Sequence, residues 1–90
     1  MNVFLDDVRS PPDNSWLVVK TVEDAKSLLL TGQVDMLSLD NDLGPGQPEG
    51  YTLVLWMAEN NLWPKNKPMV HSMNVARSQF MRDMIDRYFI

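Results

Sequence analysis

Two short acidic runs each follow an apolar stretch. Asp6-Asp7 follows Val3-Phe4-Leu5, and Asp40-Asn41-Asp42 follows Met36-Leu37-Ser38-Leu39. Arg9 lies just beyond the first run. A third polar run, His71-Ser72-Met73-Asn74, follows Met69-Val70 and holds the only histidine. If folding gathers these runs, three or four carboxylates share one crevice and repel one another, so that some take up protons or a cation sits among them. Oxygen-only ligands, in a chain without cysteine, favour a hard cation, Mg²⁺ or Mn²⁺, which keeps several waters and is completed by phosphate oxygens. The candidate metal ligands are Asp6, Asp7, Asp40 and Asp42. Arg9 is suited to clamp a phosphoryl group. Ser72, Asn74 and the amides opening the last helix are suited to hold a further phosphate oxygen, and Asn41 joins this phosphate-binding set. His71 is the candidate general acid or base, with Asp40 and Asp7 as its catalytic companions.

Each residue taken singly has a plainer use. An Asp-Asp after a strand is often a solvated turn, Asp42 can be a loop cap and Arg9 a surface residue. His71 can be a satisfied strand-end histidine, and Ser72 and Asn74 can be helix caps. The combination is stronger than its parts, because independent segments deliver complementary groups.

The rest of the composition narrows the classes. The chain has 90 residues and no cysteine, which excludes disulfides, cysteine–zinc sites and thiol catalysis. Its net charge of −4 disfavours duplex nucleic acid as a partner. Nine of its twelve acids are aspartate, and the four in the two runs account for the whole net charge. The N-terminus carries no basic, apolar leader. The longest uncharged apolar-rich run, Tyr51 to Ala58, is far short of the ~20 residues a bilayer requires. These features predict a single cytoplasmic domain over residues 1–90, away from membranes.

Elements must now position the runs. Val3 to Leu5 reads as a buried strand, and Arg9 to Ser15 as a breaker segment. Trp16 to Val19 is a second strand, rich in β-formers. Thr21 is a helix N-cap with Asp24 at the box position. A stripe of Val22, Ala25, Leu28 and Leu29 follows, and Gly32 stops the helix. Met36 to Leu39 is a third strand and Leu43 to Gly50 a loop. Tyr51 to Asn60 is a helix with Leu53, Val54, Trp56 and Met57 inward. Asn61 to Pro68 is a loop with solvated Lys65 and Lys67 at its tip. Met69 to His71 is a fourth strand. Asn74 caps a last helix whose stripe is Ala76, Phe80, Met84, Ile85 and Tyr88. The three tryptophans and seven methionines read as core or interface residues.

The order β-β-α-β-α-β-α predicts an α/β fold with an open parallel sheet. Val8 to Ser15 is short for a helical crossover. Stretched as polyproline II by Pro11-Pro12, it covers roughly 25 Å, enough to return beside a strand of five residues. An extended strap thus replaces the first helix. Right-handed crossovers with strand order 2-1-3-4 put all three helices on one face. The helix-poor face then exposes apolar surface, from which we expect a homodimer, tested by light scattering at micromolar concentration. Ligands bind at strand C-termini in such sheets, where the three polar runs converge.

The placing of Asp6-Asp7, Asp40 and Ser72 resembles the acidic pocket of response-regulator receiver domains. That resemblance implies Asp6 and Asp7 as metal acids, Asp40 at the phosphoacceptor position and Ser72 as the phosphoryl-contacting hydroxyl. The chain lacks the receiver's first helix, fifth strand with its Lys, and fifth helix. A closer resemblance rests on Phe4-Leu5-Asp6-Asp7-Val8-Arg9 with Pro11-Pro12, Ser38-Leu39-Asp40-Asn41-Asp42-Leu43-Gly44, Gly50-Tyr51 and His71-Ser72-Met73-Asn74. Together these resemble the cyclic-phosphate processing receiver domains, a small receiver-like, flavodoxin-like family. This resemblance implies processing of cyclic phosphates on nucleotides or RNA ends. The family often has His where this chain has Asn41, and Pro where it has Val75.

The expected function is metal-dependent hydrolysis of a cyclic phosphodiester: a cyclic nucleotide, a cyclic oligonucleotide messenger or a 2′,3′-cyclic phosphate end. The expected partner is thus a small phosphorylated ligand. Two alternatives stand beside it. One is a module that sequesters a cyclic nucleotide without cleaving it. The other is a degenerate receiver serving as a dimeric interaction domain.

Overall fold

A computed structural model describes residues 1–90. Four strands, β1 (Asn2–Leu5), β2 (Trp16–Val19), β3 (Met36–Leu39) and β4 (Met69–Val70), form one sheet in the order β2-β1-β3-β4. Every pairing is parallel, with Val3 opposite Leu17 and Leu37, and Leu39 opposite Val70. The helices are α1 (Val22–Leu29), α2 (Gly50–Asn60) and α3 (Val75–Tyr88). The chain between β1 and β2 contains no helix, and a strap of bends and turns makes that crossover in place of one. None of the helices is long and apolar enough to cross a membrane.

Side-chain alternation divides the sheet. Val3, Leu5, Leu37 and Leu39 join Val22, Ala25 and Leu29 of α1, Leu53, Val54 and Met57 of α2, and Met81 and Ile85 of α3 in one buried cluster. All three helices therefore share one face. Phe4, Trp16, Val18, Ser38 and Met69 alternate to the other face. Phe4 packs edge-on against Trp16, while Val18 and Met69 remain exposed.

Three boundaries and faces differ from the sequence reading. Strand β4 ends at Val70, and His71 continues it only through its amide, which donates to the Leu39 carbonyl. Helix α2 begins at Gly50. Helix α3 buries Ser78, Met81 and Ile85, while Ala76, Phe80 and Tyr88 face outward. Ser78 is tolerated inside because its hydroxyl donates to the Ser72 carbonyl. Of the loop lysines, Lys65 lies beside Asp35 and Lys67 pairs with Asp86, both at the surface.

Gly50 locks the site onto the scaffold. Its amide donates to the Asn41 carbonyl at 2.8 Å, and a Cβ there would lie 1.9 Å from the Asp40 carbonyl oxygen. The obstacle is backbone, and the Asp40 amide is itself bonded to Leu5. We predict that Gly50→Ala destabilises the domain by about 3 kcal/mol, the upper part of the range for overpacking. A urea midpoint unchanged from wild type would refute this.

Candidate functional site

The C-terminal ends of β1 and β3 bring Asp6, Asp7 and Asp40 together. Each offers a carboxylate oxygen, and these atoms lie within 4.8 Å of one another. Asp6 is 1% exposed and Asp40 8%, whereas Asp7 is half-buried. No Lys or Arg pairs with any of the three; the only cationic candidate in contact is the His71 ring, at Asp6. Gly44, at φ +102°, brings its loop against Asp7, with a Cβ position 3.3 Å from Asp7 Oδ2. A side chain there would be strained and would crowd the carboxylate.

Asp6 is held from two sides. Its Oδ1 accepts from the amides of Val8 and Arg9 at 2.8 and 2.9 Å. Its Oδ2 lies 2.9 Å from His71 Nε2. Burial alone would raise its pKa, but the two amides and the imidazole more than offset this and hold the carboxyl below its usual value. An ionised Asp6 accepts only, so Nε2 carries the proton it shares. In the neutral ring Nδ1 is then an acceptor, and the Ser38 hydroxyl, 2.7 Å away, donates to it. The ring also stacks on Phe4, with centroids 4.4 Å apart and planes 5° from parallel.

Both nitrogens of His71 are thus engaged inside the protein. His71, expected as a general acid or base, sits between Ser38 and Asp6, in a position to orient the carboxylate. Arg9 reaches the same region, its guanidinium donating to the His71 carbonyl and tying the strap to the loop after β4. Its other N–H groups make no protein hydrogen bond. Ser72 Oγ accepts from the Asn74 amide, and Asn74 Oδ1 accepts from the Arg77 amide, capping α3. The capping uses of Ser72 and Asn74 are therefore real, and the Ser72 hydroxyl proton remains free to donate.

Asn41 and Asp42 lie outside the carboxylate cluster. Asn41 is fully buried. Its Oδ1 accepts from the Tyr51 amide, and its Nδ2 donates to Asp42 and Glu49. All its polar atoms are spent clamping the loop to α2, which corrects its expected place among phosphate-binding groups. Asp42 is exposed, turned to accept from Asn41, and is not in the metal set. The cause is the end of the strand: β3 stops at Leu39, and the chain then bends at Asn41, whose bonds to Tyr51 and Glu49 carry it inward and leave Asp42 at the surface.

A family model described as Cyclic-phosphate processing Receiver domain matches residues 1–87. The chain belongs to this family. Comparisons with curated proteins and with solved structures gave no match. In this receiver domain Asn41 serves as a clamp between the loop after β3 and α2. The Val75 departure falls on the first residue of α3, where Pro mainly pre-forms a helix turn; the Asn74 cap does similar work here.

Two contributors escaped the sequence reading. Ser38 is a lone hydroxyl inside an apolar strand, and that pattern by itself asks for a buried partner. Glu49 sits three residues before Thr52, whose hydroxyl donates to its carbonyl; nothing in its spacing announced the link to Asn41.

Proposed function

We propose that this domain hydrolyses a cyclic phosphodiester with Mg²⁺ or Mn²⁺ held by Asp6, Asp7 and Asp40. One observation carries the reading: three carboxylates converge from two strand ends, two of them buried, with no Lys or Arg paired to them. Such a group is costly without a neutralising partner, and an all-oxygen donor set fits a hard divalent ion. When bound, such an ion supplies Lewis acidity toward phosphorus and a water made more acidic.

The protein's own groups divide the remaining work. Arg9, with unpaired N–H donors, and Ser72, with its free hydroxyl proton, bind non-bridging oxygens and favour the charge that grows there. Asn74 fixes Ser72 and the start of α3. His71 and Ser38 hold Asp6 in one orientation. Asp7 makes no hydrogen bond and is the most open of the three carboxylates, which suits it to accept a proton from the attacking water. The water oxygen bonds to phosphorus, one ring P–O bond breaks, and the leaving oxygen takes up a proton. The product is an opened phosphomonoester from a monomeric ring.

The test is incubation with 2′,3′- and 3′,5′-cyclic mononucleotides, cyclic dinucleotides and RNA ending in a 2′,3′-cyclic phosphate, with Mn²⁺ or Mg²⁺. Mass spectrometry should show addition of one water, lost in the Asp40→Asn variant by at least about 10²-fold. Tight binding with the ligand recovered intact identifies a sequestering module. Turnover that Asp40→Asn leaves unchanged refutes the site.

A further inference from the structure

Arg77 and Arg87 each lie over an aromatic ring without an ion pair, and of the two only Arg77 is half-buried. Its guanidinium lies over the Tyr51 ring, 4.3 Å from the centroid. It forms no ion pair, and its side chain donates no hydrogen bond to the protein. It is half-buried, yet its nitrogens still reach solvent. In an acidic chain, an arginine held on an aromatic face with its donor fork unused is oriented for something outside the protein.

Its placement ties it to the crevice. The Tyr51 amide donates to Asn41 Oδ1, directly after Asp40, and Gly50 presses against the Asp40 carbonyl. The Arg77 amide donates to Asn74 Oδ1, whose own amide is held by Ser72. Phe80 meets Tyr51 edge-on, with centroids 5.9 Å apart, and keeps that ring from turning. The Arg77–Tyr51 pair therefore bridges the first turns of α2 and α3, the two helices that open beside the carboxylates.

A second observation concerns the loops around the crevice. Val8, Met73 and Val75 are 84%, 81% and 83% exposed. Only the C-terminal Ile90 exposes more among the large apolar side chains. Val8 follows Asp6-Asp7, and Met73 and Val75 flank Asn74. Exposed apolar side chains on the segments that also carry Asp6, Asp7 and Asn74 suit a ligand with an apolar surface better than a bare phosphate.

We propose that Arg77, backed by Tyr51, receives the heterocyclic base of a nucleotide whose phosphate lies at the carboxylate crevice. The base stacks on the guanidinium face turned away from Tyr51, as bases stack on arginine planes elsewhere. Tyr51 is a positioning residue, acting through Arg77. The inference rests on the phosphate-site reading above and adds that the ligand must carry a base.

The test compares equilibrium binding of a 2′,3′-cyclic nucleotide and of base-free 1-O-methylribose 2′,3′-cyclic phosphate, both with Mn²⁺, by calorimetry. Wild type should prefer the base-bearing ligand by about 10- to 100-fold, the range for one stacked base. Arg77→Ala should bring the ratio of the two affinities toward one. Arg77→Gln keeps most of the stem and should do the same, which separates loss of the guanidinium from misfolding. Tyr51→Leu should lower the ratio in part. Equal affinities in wild type overturn the inference, as does an Arg77→Ala variant that keeps the preference or weakens both ligands equally. Binding with base preference but without turnover overturns only the hydrolytic reading. Failure of both ligands to bind overturns both readings.

Discussion

Saturating Mn²⁺ or Mg²⁺ should raise the thermal midpoint of the wild-type domain by roughly 10–20 °C. The figure follows from linkage. An ion that binds only the folded state at 100 times its dissociation constant adds about 2.7 kcal/mol, and each kcal/mol shifts a domain of this size by about 4–8 °C. The driving force is the close approach of Asp6, Asp7 and Asp40, whose ligand oxygens lie within 4.8 Å of one another. Two unit charges at that separation repel by about 3.5 kcal/mol at an effective dielectric of about 20, less at half-exposed Asp7, where solvent screens the charge. Neutralising one carboxylate should therefore stabilise the metal-free protein while removing most of the metal response. Asp7→Asn is the cleanest probe, because Asp7 makes no hydrogen bond that the substitution would break. Its metal-free midpoint should lie several degrees above wild type, and its shift with Mn²⁺ should be small. This opposition of signs is what a site strained for ligand binding gives. Scanning fluorimetry after extensive chelation decides it. A wild-type midpoint indifferent to both ions, or a metal-free Asp7→Asn that melts lower than wild type, would remove the metal from the account.

The crevice was readable because it depends on strand ends, and strand ends announce themselves. Apolar runs stop at Asp6 and at Asp40, and parallel strands place such stops at one edge of the sheet. The strap was readable from Pro11-Pro12, since those residues forbid a helix where a crossover must pass. The side of the chain on which each polar residue falls was harder. Asp40, Asn41 and Asp42 are consecutive, and sequence proximity put all three in the site, whereas the bend after β3 sends them to three environments. The buried face of α3 is likewise hard to read from sequence. Phe80, Met81, Met84, Ile85 and Tyr88 spread apolar character around the helix, so no single stripe stands out. Contact with α2 and β4 chooses Met81 and Ile85, and Ser78 enters because Ser72 offers it a carbonyl. The role of His71 was also beyond sequence reach. Its second partner is Ser38, 33 residues away and on a neighbouring strand.

His71→Ala should lower divalent-ion affinity by about 10- to 100-fold, the usual cost of losing a group that orients a metal ligand. It should also destabilise the metal-free domain by roughly 2–4 kcal/mol, because the Ser38 hydroxyl and Asp6 Oδ2 each lose a buried partner. The stacking on Phe4 disappears as well. Ser38→Ala removes the far end of the array. If Ser38 matters only through His71, the double variant should be no worse than His71→Ala alone, since neighbours in one hydrogen-bond network do not add. The acid response separates this positioning role from simple packing. Burial works to raise the pKa of Asp6, while the amides of Arg9 and Val8 and the His71 ring lower it, and the lowering wins. A carboxyl whose folded pKa is depressed contributes stability that is complete above its unfolded value near 4 and is lost as pH falls through the lower folded value. Wild type therefore keeps this contribution down to about pH 4 and sheds it below. Without the imidazole, Asp6 retains its burial and only part of its compensation. Its folded pKa rises, and the contribution shrinks or reverses. Urea midpoints between pH 7 and pH 3 should then fall less steeply below pH 4 in His71→Ala than in wild type. Parallel pH profiles, with both variants simply offset from wild type, would mean that His71 only fills space against Phe4 and does not hold the carboxylate.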